Sequence, residues 1–251
     1  MLFEHLLQNR NAGDLSPAEL AVLENSVSEV RHFPAGEVVV RERVPIDVST
    51  LLVEGMMSRH IHDTSGRRHV VAVHFAGDFV DLHAYALKSL DHNVGALTDV
   101  KVALVPHIEL ARIQVELPHL THRLWFLTLI DAAMHRQWVY RLSGMNALAR
   151  VAHFLCECNA RLLAIGRSDG RRFQLPMTQA QVGEVCALTG IHVNRVMRDL
   201  RDLRLCTFRS QQVDIHDLEG LVRTGQFDPN YLYLNDMTVQ CALGHRRPET
   251  L

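Results

Sequence analysis

Along the segment from Ile191 to Leu203, Asn194, Arg195, Arg198 and Arg201 fall on or near one side of a helix, with Val193, Val196, Met197, Leu200 and Leu203 on the other. Such a helix pins its apolar stripe to its own domain and holds long donors outward. The planar guanidinium fork matches guanine O6 and N7 in the major groove of DNA, and Arg195 stands where that donor is needed. Arg198 and Arg201 lie further along and Arg209 beyond the helix, where phosphate oxygens are the expected partners. The same pattern also suits an αα-hairpin with a solvated cationic face, because charged helix faces are usually just wet.

Other residues suggest different chemistry. Gly55 to His62 (GMMSRHIH) resembles part of the histidine motif of cupin metalloenzymes, and His60 and His62, two apart on a strand, share a face and could hold a metal. No carboxylate follows at the expected spacing, where Ser65, Gly66 and Arg67 stand, and no third ligand is evident. The pair then reads as solvent-side histidines near a hairpin. The five cysteines are odd in number and irregular in spacing, which fits reduced thiols rather than a disulfide framework. Cys156 and Cys158 point apart on a helix and make a poor metal pair. Cys186, among Val182, Val185 and Leu188, reads as a buried inert thiol, with an oxidation sensor as the alternative.

The arginines need a frame. Thr178-Gln179-Ala180-Gln181 is a capping box opening a helix through Val182, Gly183, Val185 and Leu188, which the Thr189-Gly190 pair breaks. Two short helices, a tight turn and a small residue at the crossing predict a helix-turn-helix. Two strand-like pieces around a polar turn, within Cys206–Ile215, suit a wing. Upstream, Ser16-Pro17-Ala18-Glu19 starts a short helix, and from Val30 brief β-rich runs alternate with turns as far as Pro106. That texture points to an antiparallel sandwich or roll. His119 to Ser143 contains neither Gly nor Pro, and Leu120, Leu124, Leu127, Ile130, Met134, Trp138 and Leu142 recur at three- and four-residue steps. One long amphipathic helix follows, its stripe either packed on its own core or paired with a second copy as a dimer seam. A second helical stretch runs from near Asn146 towards Ile165.

With 251 residues, 47% of them hydrophobic, the chain can form two cores. The net charge of −2 excludes a uniformly basic nucleic-acid coat and requires a local basic face. No stretch has signal-peptide or membrane-spanning character, so a soluble cytoplasmic protein without a membrane partner is expected.

The order of roll, long helix and winged helix-turn-helix, with LPMTQAQVGEVCALTGIHVNRVMRDLRDL near the end and the Phe75-Ala76-Gly77-Asp78 turn, resembles the cyclic-AMP receptor protein and fumarate-nitrate regulator (CRP/FNR) superfamily. The resemblance implies an α+β fold: a β-roll sensor over 1–118, a dimerisation helix over 119–144, a DNA-binding domain over 145–225 and a C-terminal tail over 226–251. It implies a non-enzymatic homodimer that binds palindromic double-stranded DNA and meets RNA polymerase. The candidate DNA contacts are Thr178, Gln179, Thr189, Ile191, His192, Asn194, Arg195, Arg198 and Arg209. Ile191 stands where the family often has glutamate, and Gly190 where it has a basic residue, so the preferred sequence should depart from the best-known one. An effector pocket would involve Phe75, Gly77, Asp78, Leu82, His83, His92 and Asn93. Leu82, His92 and Asn93 occupy the places of the glutamate, arginine and hydroxyl that grip cyclic AMP, so that ligand is not expected. No cysteine precedes Cys156, which argues against an iron-sulfur cluster. His74, His83 and His92 keep haem as an alternative, and control by abundance without any ligand is another.

Overall fold

Short β-rich runs between residues 29 and 106 build two antiparallel sheets. In a computed structural model, which describes residues 1–13 and 15–246, α1 (Pro17–Asn25) precedes β1 (Glu29–Phe33), β2 (Val38–Val40), β3 (Val48–Glu54), β4 (Met57–His62) and β5 (Arg68–His74). Then come α2 (Ala84–Leu87), β6 (Asn93–Ala96), β7 (Val100–Pro106), α3 (His107–Glu116) and α4 (Pro118–Gly144). One sheet has the order β1-β7-β3 and the other β2-β6-β4-β5. Successive strand side chains point to opposite faces. Leu52, Val102 and Leu104 therefore share a core with Val40, Met57 and Val94 of the facing sheet, while Leu51, Ala103 and Val105 turn the other way onto Leu23, Leu110, Ile113 and Leu120. Burial on both faces is why these strands read as unbroken apolar runs.

The chain divides into two compact units, one of residues 1–8 and 12–132, the other of residues 9–11 and 133 onward. Within the first, Gly77 has a φ of +91°, and a Cβ there would lie 2.6 Å from the His5 carbonyl oxygen, so the Phe75–Asp78 turn admits only glycine at that position. Asp78 closes the turn by accepting from the Phe75 amide at 3.0 Å. A bulge between Arg59 and His60 disturbs the register of β4 against β5. The extra residue is Val71 of β5, and β4 keeps its regular register against β6, so the four consecutive side chains from Met57 to His60 are buried because both faces of this strand are covered. His60 is only 3% exposed, which corrects its expected solvent-side placement; His62 is exposed. The short α2 and the half-buried α3 were not anticipated: four residues leave no period to detect, and α3 buries only His107, Leu110 and Ile113.

The second unit is centred on α5 (Ala147–Ala164), capped by the Asn146 side chain and buried along almost its whole length. It is followed by β8 (Arg172–Gln174), α6 (Gln179–Cys186), α7 (Gly190–Asp202), β9 (Cys206–Arg209), β10 (Gln212–Ile215), α8 (Leu218–Gly225), a 3-10 turn (Pro229–Leu232) and α9 (Asp236–Ala242). In the stretch expected as a tail, Leu232, Leu234 and Cys241 are buried. Asn11 donates its amide to Tyr233 and Asn235 donates to Asn9, both at 2.8 Å. The last five residues of that stretch lie outside the described residues.

The stripe expected as a dimer seam is largely interior. Leu120, Leu124, Ile130 and Trp138 are between 0% and 8% exposed in the single chain, and Leu127 and Met134 are half-buried. Residues so covered have almost no surface to offer a partner. The large exposed apolar side chains of the same helix are Trp125, Leu129, Val139 and Tyr140. Periodicity alone cannot distinguish a core stripe from a seam, and here it found the core.

Candidate nucleic-acid interface

The Thr178 hydroxyl accepts from the Gln181 amide while the Gln181 side chain accepts from Thr178, so the capping box that starts α6 is complete. The helix ends earlier than expected. Ala187 adopts the left-handed conformation at φ 52°, and Leu188 returns its amide to the Gly183 carbonyl at 2.8 Å. Thr189-Gly190, expected to break the first helix, instead begins the second: Thr189 caps α7 by accepting from the His192 amide, and Gly190 is its first residue. A Cβ on Gly183 would stand 2.8 Å from the Leu188 carbonyl oxygen and 3.2 Å from a Val193 methyl, so the close crossing of α6 and α7 depends on that glycine.

Val193, Val196 and Leu200 are buried, whereas Ile191, His192, Asn194, Arg195, Arg198 and Arg201 are exposed. Met197 is half-buried, and Leu203, expected inside, is 57% exposed because it lies beyond the last turn as the C-cap. The face holding Asn194 and the arginines thus starts with Ile191, a large apolar side chain 80% exposed. Thr178 and Thr189 are exposed and Gln179 half-buried at the helix starts, and Arg209 is exposed at the end of β9. The wing is a three-stranded sheet in the order β8-β10-β9, turned at Ser210 and Gln211 with positive φ. Its third strand was missed because three residues carry too little alternation to detect.

Arg141 of α4, fully buried, stacks against Trp138 at 4.4 Å and donates to the Val185 carbonyl of α6 at 3.3 Å. Glu157 accepts from the Tyr231 hydroxyl at 2.8 Å and pairs with Arg161 at 3.4 Å. Burial opposes its charge, yet Arg141 and Arg161 hold its carboxyl below the ordinary value. Cys156, Cys158, Cys186, Cys206 and Cys241 are free and buried. Burial pushes the Cys186 thiol up to about 11, which disfavours a reactive thiolate.

In the first unit, two of the expected effector residues line a cleft and a third, His92, packs near one of them. Leu82 and His83 line a cleft of about 590 Å³ between α2, α3 and α4, together with Tyr85, Leu110, Leu124 and Trp125. Phe75, Gly77, Asp78, His92 and Asn93 are not among its walls. His92 holds Asp91 at 2.7 Å, and its ring lies 5.5 Å from that of His83. Arg59 donates to Asp131 of α4 at 2.6 Å and to the Val80 carbonyl at 2.8 Å. Burial, then the Arg59 charge, lowers both His74 and His83 to about 4, so both rings are neutral at pH 7. Burial raises the Asp81 carboxyl to about 6, against the Thr50 amide that it accepts at 2.5 Å. No sequence feature pointed to Arg59, which looks like a solvated strand residue. Trp125 was visible but lies off the expected stripe. Among the described residues no group of three His, Cys, Asp or Glu is placed to hold a metal, and no helix is long and apolar enough to cross a membrane.

A β-roll unit followed by a winged helix-turn-helix with an exposed cationic reading face defines a DNA-binding regulator class. Comparison with known proteins agrees: residues 30–115 match the cyclic nucleotide-binding domain and residues 149–224 the Crp-like helix-turn-helix domain. The nitrogen fixation regulation protein FixK of Bradyrhizobium diazoefficiens is 30% identical over 74% of this chain and 77% of its own. The anaerobic regulatory protein of Haemophilus influenzae is 24% identical over 83% of this chain and 80% of its own. The solved structure of FixK2 from Bradyrhizobium japonicum superposes with a TM-score of 0.71 at 23% identity, over 78% of this chain and 96% of that one. The chain belongs to the CRP/FNR family, whose compared members are transcription regulators and not enzymes.

Proposed function

We propose that the chain acts in the cytoplasm as a homodimeric, sequence-specific transcription regulator that reads a palindromic site in double-stranded DNA and works with RNA polymerase. The observation that carries this reading is the exposed face of α7, where Ile191, His192, Asn194, Arg195 and Arg198 stand clear of a buried apolar stripe. Arg195 contacts a guanine through both outer nitrogens, with Asn194 beside it. Thr178, Gln179, Thr189, Arg198 and Arg209 supply backbone or flanking contacts. The dimer seam is the exposed side of α4, around Trp125 and Leu129. Two reading helices joined by such a seam require half-sites about one helical turn apart.

Cyclic AMP is not the effector in this reading. Leu82 offers no carboxylate, and His92 is already bonded to Asp91. The buried Arg59 is committed to Asp131 and Val80, and Asp81 lies close behind. The effector site is instead the cleft beside Leu82 and His83.

Selection of bound duplexes from a random pool, followed by Arg195→Ala and Arg198→Ala, tests the proposal. A site with dyad symmetry is expected. Arg195→Ala should erase preference for that site, losing about 1–3 kcal/mol of discrimination per half-site. Arg198→Ala should weaken all sequences alike and make the salt dependence shallower. Equal loss on selected and random DNA for Arg195→Ala would reassign it to phosphate, and unchanged binding in both variants would remove α7 from the interface.

A further inference from the structure

The cleft between α2, α3 and α4 has a composition that selects its occupant. None of its lining residues is Asp, Glu, Lys or Arg, so an anion or cation entering it loses hydration without gaining a counter-charge. Most of its polar groups are already engaged. The Thr121 hydroxyl donates to the Ile113 and Leu117 carbonyls at 3.2 Å, that of Thr128 to the Trp125 carbonyl at 2.7 Å, and that of Tyr85 to Gln114 at 2.7 Å. The His83 ring and the Gln114 amide nitrogen are left as the polar features of an otherwise apolar wall. Burial and the Arg59 charge keep that ring neutral, able to donate at one nitrogen and accept at the other. The rim is apolar too: Leu87 is 63% and Trp125 65% exposed. At about 590 Å³ the space lies within the range of sites that enclose small ligands.

We propose that this cleft binds an uncharged, largely apolar small molecule carrying one hydrogen-bonding group directed at His83. Resting on the reading of the chain as a regulator, its occupancy is the regulatory input. Trp125 gives the connection: it forms part of the cleft wall and also belongs, with Leu129 one turn on, to the exposed face of α4 assigned to the seam. A ligand that fixes the Trp125 ring changes the surface a second copy meets.

The test uses the full chain and the neutral dye Nile red, with 2-naphthol and 2-naphthoate as competitors of matched shape and different charge. Blue-shifted dye emission is expected, with displacement by 2-naphthol at least tenfold more effective than by 2-naphthoate. Ala86→Trp and Thr128→Phe fill the cleft from opposite walls; each should weaken dye binding at least tenfold while melting temperature and dye-free DNA binding are retained. Absence of dye binding, equal displacement by the two naphthalenes, or unchanged dye affinity in both variants overturns the proposal. A weakened dimer with unchanged dye affinity in Ala86→Trp also overturns it and makes the cleft a seat for the second copy. DNA binding of the unmodified chain is measured alongside. Its failure defeats the regulator reading whatever the dye does; its success with no dye binding defeats the ligand site alone.

Discussion

The Arg59 guanidinium meets the Asp131 carboxylate at 2.6 Å, joining a β-strand to the long helix through a pair in which Arg59 is 3% exposed and Asp131 23%. Removing one partner of a covered ion pair leaves the other with its desolvation cost and no compensation. Asp131→Leu should therefore destabilise the chain by about 3 kcal/mol. Adding Arg59→Met, which keeps the aliphatic stem and deletes the charge, should restore much of that loss. Chemical denaturation of the two variants decides it: a double variant no more stable than Asp131→Leu alone would mean that Arg59 acts through packing and not through charge.

The neighbouring histidines make the first unit sensitive to acid. His74 and His83 have an ordinary value of 6.5 and are held near 4 in the fold by burial and by Arg59. Between those values the unfolded chain takes up protons that the folded chain refuses, so their contribution, complete above 6.5, is lost as pH falls towards 4. Asp81 has the opposite sign, because its ordinary 3.8 is raised to about 6 and the fold gains from its protonation as pH drops through that range. Two histidines against one carboxyl leave a net loss. The denaturation midpoint should fall between pH 7 and pH 5, and less steeply in His74→Gln/His83→Gln; an equal slope in that variant would place the acid sensitivity elsewhere.

How much of this was legible in the sequence depended on whether a residue's partners were local. The α6–α7 pair was readable because Thr178 and Gln181 cap within one turn and the apolar period of α7 is self-contained. Its boundary was misplaced only where Ala187 adopts a left-handed conformation that no alanine advertises. The long helix was equally readable as a helix, but it carries two apolar faces, and the spacing of Leu120, Leu124 and Ile130 does not say which one the chain covers by itself. The cleft was readable only at Leu82 and His83. Its walls come from residues near 85, 110 and 125, brought together by turns and by the helix α3, which has a weak pattern. Arg59 was hidden for a third reason: both faces of β4 are covered, so an arginine with a solvent-side appearance is interior.

The two faces of α4 predict opposite consequences for neighbouring substitutions. Leu129 is 56% exposed and Ile130 2% exposed. Leu129→Asp should leave the melting temperature nearly unchanged and weaken dimerisation at least tenfold, which sedimentation measures directly. Ile130→Asp puts a carboxylate into the core and should lower stability by several kcal/mol, on the order of the cost of burying an unpaired charge. Intact dimers in a folded Leu129→Asp protein would move the seam off this face.

Ile191 supplies the sharpest question about sequence preference. An isoleucine 80% exposed at the second position of α7 is poorly explained by folding, because it buries almost nothing against its own domain. Placed in a major groove, its methyl groups can meet the 5-methyl of thymine, which is the one apolar feature a base pair presents there. Neighbouring Asn194 and Arg195 then provide the polar reading, so the half-site should combine a thymine with the guanine met by Arg195. Replacing that thymine by uracil removes one methyl and leaves every hydrogen-bonding group in place. The uracil-substituted site should bind the unmodified chain about fourfold more weakly per half-site, on the order of 0.8 kcal/mol for one buried methyl-sized group. Ile191→Ala should already have lost that increment and discriminate little between the two sites. Ile191→Glu should do more than lose it: a carboxylate there can accept from cytosine N4, so preference at that position should move from thymine to cytosine. If uracil and thymine sites bind equally to the unmodified chain, Ile191 does not touch a base, and its exposure must then be explained by a contact outside the DNA.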